Sequence, residues 1–128
     1  MSLFRTDSVA LSYSNIEEAK RWWISAFDCK QVKVPPDWDN QLPSDVALKM
    51  VGDSEPTILL SNRAEVTQAG FDRSASTVPV IFSDKLKKAY EHLTRRGVLA
   101  GPIQSDGETE FFEVRDSEGN VIEICKEP

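Results

Sequence analysis

The strongest constraint on this chain is that its second half repeats the order of its first. Ser8-Val9-Ala10-Leu11-Ser12-Tyr13 alternates small or polar residues with apolar ones, the period of a half-buried strand. Asn15 then reads as a helix N-cap, with Glu18 three positions on in a capping-box pattern. Ile16, Ala19, Trp23, Ala26 and Phe27 share one helical stripe, which predicts a helix over 16–27. Cys29 to Val34 reads as a second strand, stopped by Pro35-Pro36. A loop rich in Pro, Asp and Asn runs from Pro35 to Asp45 with Trp38 inside it. Val46–Val51 and Thr57–Ser61 read as strands around the turn residues Gly52-Asp53-Ser54, and a polar linker follows over about 62–76.

The second half opens with a strand, Thr77-Val78-Pro79-Val80-Ile81-Phe82, with Val78, Val80 and Phe82 on one face. Ser83 and Asp84 open a helix whose apolar stripe is Leu86, Ala89, Tyr90 and Leu93, closed by Gly97. Strands are expected near Leu99–Gln104, Thr109–Arg115 and Val121–Lys126, the last two joined by Asp116-Ser117-Glu118-Gly119-Asn120. A shift of 69 positions lays Ser8 on Thr77, Leu11 on Val80, Asn15 on Asp84 and Asp28 on Gly97. Duplication of one supersecondary unit explains the match economically. The expected fold class is therefore α+β: two βαβββ modules, about 6–62 and 77–127, in one domain over 1–128. Pro79 removes a ladder donor, so its strand must lie at an edge or beside a bulge.

With 128 residues, 40% of them hydrophobic, the chain can form a core without metal or disulfide. A net charge of −6 argues against nucleic acid as partner. The cations Lys85, Lys87, Lys88, Arg95 and Arg96 alternate with apolar residues at helical spacing and read as a solvated helix face. No apolar run reaches the roughly 18 residues of a membrane span, and the N-terminus lacks a signal-peptide core. Cys29 and Cys125 form no CxxC pattern and read as buried free thiols. A cytoplasmic location is expected.

Val9-Ala10-Leu11 with Ser14-Asn15-Ile16-Glu17 and Trp22-Trp23 resembles the opening strand, cap and helix of the vicinal oxygen chelate superfamily. That superfamily includes glyoxalase I, extradiol dioxygenases and bleomycin-resistance proteins. Phe82-Ser83-Asp84-Lys85-Leu86 through Arg96-Gly97-Val98 resembles the start of its second module. Phe111-Phe112-Glu113-Val114-Arg115-Asp116-Ser117-Glu118-Gly119-Asn120-Val121-Ile122-Glu123-Ile124 is similar to its final hairpin, with Ser117 where the family often has Pro. The resemblance implies a curved mixed sheet around a U-shaped cleft. In the family's metal enzymes it also implies one ligand on the first strand and one on the last strand of each module.

Carried over, the first-strand positions, normally His, fall on Ser8 and Thr77. The last strand of the first module offers Ser61, or Leu60 one residue away, and that of the second offers Glu123. One carboxylate among hydroxyls does not make a divalent-cation site, so no metal or other cofactor is expected. The sole histidine, His92, lies opposite the apolar stripe of the second helix and reads as a surface residue. The expected cleft lining is Ser8, Ser12, Ser61, Thr77, Ile81 and Glu123, with Phe111 or Phe112 as alternation permits, and Trp38 as an aromatic wall. Glu123 is the one candidate general base.

Three functions fit. The first is metal-free sequestration of a small organic ligand, cationic or aromatic, as in drug-binding resistance proteins. The second is a metal-dependent lyase or dioxygenase with displaced ligands; the third is a structural or regulatory module with a vestigial cleft. The resemblance also implies a homodimer.

Overall fold

The structure, a computed structural model, describes residues 3–70 and 78–127. The first module runs β1 (Val9–Tyr13), α1 (Ile16–Phe27), β2 (Lys30–Val32), β3 (Val46–Lys49) and β4 (Ile58–Asn62). Its sheet has the order β1-β4-β3-β2, with β1 parallel to β4 and the other pairs antiparallel. A short helix, α2 (Arg63–Ala69), begins where a plain linker was expected; Asn62 caps it by accepting from the Glu65 amide. The second module runs β5 (Val80–Ser83), α3 (Leu86–Arg95), β6 (Leu99–Ala100), β7 (Gln104–Ser105), β8 (Glu110–Arg115) and β9 (Val121–Lys126). Its order is β5-β9-β8-β6, with β7 also on β8. Among the described residues, no helix is long and apolar enough to cross a membrane.

The strand expected over Leu99–Gln104 is split. Gly101-Pro102-Ile103 interrupts it, and both short pieces pair with β8. Pro79 stands immediately before β5, so it removes no donor from within that strand, and its carbonyl accepts the Glu123 amide at 2.9 Å. Ser83 and Asp84 do not cap α3. The N-cap is Lys85, without a side-chain bond, and Ser83 Oγ accepts the Lys85 amide at 3.2 Å.

The repeat is real, but its shift is not uniform. Both helices begin two residues after their strand: Tyr13 precedes the N-cap Asn15, and Ser83 precedes the N-cap Lys85. These pairs superpose at a shift of 70. At the far ends the left-handed residues Asp28 (φ 57°) and Gly97 (φ 81°) superpose at 69, because α1 holds one residue more between cap and exit. In a strand a one-residue slip turns every side chain to the other face. The structural partner of Ser8 is therefore Val78 and not Thr77, which lies outside the described residues.

One apolar cluster draws on both modules. Tyr13, Leu48, Ile58 and Leu60 meet Ala19, Trp23 and Phe27 of α1, while Ile81, Phe112, Val114, Ile122 and Ile124 meet Leu86, Ala89 and Leu93 of α3. The face of each sheet turned away from α1 and α3 is called the open face below.

Polar bonds fasten the modules where sequence spacing gives no hint of them. The buried Tyr13 hydroxyl donates to Asp116 at 2.6 Å and accepts from Trp23 Nε1 at 3.0 Å. Asn15 accepts the Glu18 amide, but its own amide donates to Glu118 at 2.8 Å, and that of Ser14 donates to Glu118 at 3.1 Å. The second half of the capping box thus comes from the β8–β9 turn of the other module. Arg5 exchanges backbone bonds with Phe82, and Thr6 Oγ1 donates to the Val80 carbonyl, so the N-terminal segment laces the β5 edge before entering β1. His92 is not a free surface residue. Its Nε2 lies 3.1 Å from the Ala26 carbonyl and its ring packs on Phe4, which ties α3 to the end of α1.

Candidate functional site on the open face

Strand register fixes which side chains share the open face. Ala10 pairs with Leu59 and Ser12 with Ser61 across β1 and β4, opposite in phase to the core residues Ile58 and Leu60. Val80 pairs with Glu123, and Phe82 with Cys125, opposite in phase to Ile81 and Ile124. Phe111 pairs with Cys125, and Glu113 with Glu123, across β8 and β9. Where the edges of β1 and β5 approach, a recess of about 380 Å³ is lined by Thr6 to Leu11, Val78 to Val80 and Phe82.

Of the expected lining, Ser8 borders this recess, and Ser12, Glu123 and Phe111 lie on the open face. Ile81 does not. It is fully buried in the core, because the strand phase follows the 70-residue shift. Phe112 is likewise fully buried, which makes Phe111 the open-face member of the pair. Ser61 has the right face but only 1% exposure, and its hydroxyl donates to Asp45 at 2.7 Å beneath the loop after β2. Leu60 is a core residue. Trp38 lines a separate recess of about 740 Å³ with Val32, Pro35, Pro36, Lys49 and Pro56, on the flank of the first module. The sequence reading missed Asp45, whose second carboxylate oxygen accepts the Leu42 amide at 2.9 Å.

Glu123 is half-buried at the middle of the second sheet, with the Cys125 thiol donating to its Oε1 at 2.9 Å. Burial first, and the bond to Glu123 second, push the Cys125 thiol up to about 12. Cys29 is also pushed up to about 12, chiefly by burial and then by Asp28 and Asp53. Neither thiol is a nucleophile at neutral pH.

No family sequence model matches the chain. No curated protein matches it in sequence either. Solved structures do match in fold. A member of the glyoxalase/bleomycin resistance protein/dioxygenase superfamily from Sphaerobacter thermophilus superposes with a TM-score of 0.66 at 17% identity, covering 96% of this chain and 97% of that one. The fold is that of the glyoxalase/bleomycin-resistance superfamily. Lactoylglutathione lyase from Agrobacterium tumefaciens superposes at a TM-score of 0.68 and 14% identity, covering 95% and 92% of the two chains. Fosfomycin resistance protein FosX from Mesorhizobium loti gives 0.59 at 12%, covering 95% and 91%.

The residues at the ligand positions that the resemblance implies do not fit a divalent ion. Val80 pairs with Glu123 as Ala10 pairs with Leu59, so the first-module counterpart of Glu123 is Leu59, two residues before Ser61. The four ligand positions implied by the resemblance thus hold Ser8, Leu59, Val78 and Glu123. Two aliphatic side chains have no lone pair to give, and a serine hydroxyl is a weak ligand. Among the described residues, no three His, Cys, Asp or Glu side chains gather as a metal-holding group.

Proposed function

We propose that this chain binds a small organic molecule on its open face without a metal, in the manner of a sequestering resistance protein. The observation that carries the reading is the register just described, which places Leu59 and Val78 at two of the four ligand positions. Without a Lewis acid there is nothing at this site to polarise paired substrate oxygens. What the face does offer is apolar surface from Val80, Phe82 and Phe111, the Ser8 and Ser12 hydroxyls, and the paired carboxylates of Glu113 and Glu123. An ionised Glu123 only accepts hydrogen bonds, so it suits an amine or hydroxyl on an aromatic or alicyclic body. Trp38, Pro35, Pro36 and Pro56 line a separate recess on the first module together with Lys33, Asp37, Lys49 and Glu55. One structural neighbour is named a fosfomycin resistance protein, which supports a resistance role for the fold, and another is named a lyase.

A thermal-shift screen of hydrophobic amines and glycopeptide drugs, run with and without chelator, tests the proposal. A ligand present at 100 times its Kd stabilises by about 2.7 kcal/mol, and chelator should leave that unchanged. Glu123→Gln should keep the stability of the free protein within about 0.5 kcal/mol. It should weaken the best amine by about tenfold or more, the worth of one charge-assisted bond. Stabilisation that appears only with added divalent metal would sink the proposal.

A further inference from the structure

The recess around Trp38 is assembled from parts of the first module that lie apart in sequence. Its sheet side is Val32 of β2 and Lys49 of β3. The ladder puts them on one face, since Lys30 pairs with Lys49 and Val32 with Ala47, in opposite phase to the core residue Leu48. Its walls are Pro35 and Trp38 from the loop after β2 and Pro56 from the segment before β4. The volume of about 740 Å³ suits a small organic molecule.

The chain's own bonds hold these walls in place. The Trp38 amide donates to the Pro35 carbonyl at 3.1 Å, and the Gln41 side chain donates to the Pro35 and Trp38 carbonyls at 2.7 and 3.0 Å. Asp45 ties down the far end of the loop by accepting the Leu42 amide and the Ser61 hydroxyl. Trp38 is half-buried, and proline rings lose almost no side-chain freedom when a ligand covers them. An indole held among prolines favours a flat aromatic ring.

Charge selects what that ring carries. Lys33, Asp37 and Glu55 are exposed on the rim, where water and salt screen them. Lys49 is the half-buried charge of the lining, and Lys30 stands directly opposite it across the ladder. Like charges directly opposed across a ladder destabilise it. Among the described residues neither lysine forms an ion pair, and neither Asp37 nor Glu55 bonds one. An anion at Lys49 relieves the repulsion of two ammonium groups. A cation there adds a third like charge.

We infer that this recess is a second ligand site, specific for a flat aromatic carboxylate. The ring lies against Trp38 and the prolines, and the carboxylate accepts from Lys49 with Lys30 beside it. Its charge preference is opposite to that of the Glu123 recess. The two sites are on different sheets, β2 and β3 being the outer pair of the first and β9 an inner strand of the second, so both can be filled together. The second site stands whether or not the Glu123 recess takes an amine.

Calorimetric titration of the full chain with naphthoate, and with naphthamide as the same ring without the charge, tests this. One equivalent of naphthoate should bind at least about tenfold tighter than naphthamide, and the preference should shrink as salt is raised. W38A and K49M should each weaken naphthoate by about tenfold or more, and K49M should leave naphthamide unchanged. Glu123→Gln, in the other recess, should leave naphthoate within about twofold. Unchanged circular dichroism and melting temperature show that the variants fold; if W38A fails to fold, W38L takes its place and should also weaken naphthoate. The absence of saturable heat at millimolar naphthoate overturns the inference, as does equal affinity for naphthamide or indifference to K49M. Tighter naphthoate binding by Glu123→Gln places the anion in the other recess and overturns it too.

Discussion

Asp116→Ala is expected to destabilise the chain by about 3 kcal/mol and to lower its melting temperature by roughly 10 °C. Asp116 is 8% exposed and is the hub between modules. It accepts the Tyr13 hydroxyl at 2.6 Å, the Glu118 and Asn120 amides at 3.0 and 2.9 Å, and the Asn120 side chain at 3.1 Å. Without it the Tyr13 hydroxyl, 1% exposed, keeps only a donor facing it, Trp23 Nε1, and its own proton has no acceptor. The β8–β9 turn loses two amide partners at once, and with them the placement of Glu118 on the start of α1. Urea unfolding followed by tryptophan fluorescence reads the loss. Tyr13→Phe, which removes the donor and leaves the turn intact, should cost less, about 1 kcal/mol. A loss below 1 kcal/mol for Asp116→Ala contradicts the hub role. The same network carries a pH signature. Burial first, and the bond to Asp116 second, raise the Tyr13 hydroxyl above its ordinary value. Its contribution is therefore full below about pH 10 and falls as pH rises beyond that.

The second large effect is a gain. S8H/L59E/V78H, with the native Glu123, places two imidazoles and two carboxylates at the four register-matched positions and should confer stoichiometric binding of a divalent transition metal. Ser8 and Val78 already border one recess, and Leu59 and Glu123 sit at matched places on β4 and β9. The alternative set, S8H/S61E/T77H, should bind at least about tenfold more weakly, because Ser61 lies two residues along β4 from the position that matches Glu123 and is buried against Asp45. Cobalt absorption in the visible region distinguishes four N and O ligands from a partial set. Equal affinity for the two triple variants would show that the register argument is wrong.

Much of the fold was legible because local signals agreed with one another. The stripe from Ile16 to Phe27 and the Asn15 cap fixed α1 to the residue, and the turn between Arg115 and Val121 fixed the last hairpin. The site was less legible for a definite reason. One extra residue in α1 is absorbed by a helix, whose apolar stripe tolerates the drift, whereas in a strand the same residue exchanges core and open face. That is why Ile81 was expected at the cleft and lies in the core, and why Val78 was passed over for Thr77; Ser61 and Leu59 differ by two residues and share a face, so no periodicity separates them. Spacing also favoured Glu18 as the whole partner of Asn15, since a contact with Glu118 across the fold leaves no local pattern. The bond from Ser61 to Asp45 was hidden in the same way, by a loop whose path no periodicity records.

The account rests on the native chain having kept the scaffold and lost the ion. Metal analysis and calorimetric titration of the chain purified without chelator test this most directly. The expected result is far less than one equivalent of any divalent metal and no saturable heat on adding zinc, nickel, manganese or iron(II). One equivalent of bound metal, lost on Glu123→Gln, would contradict it.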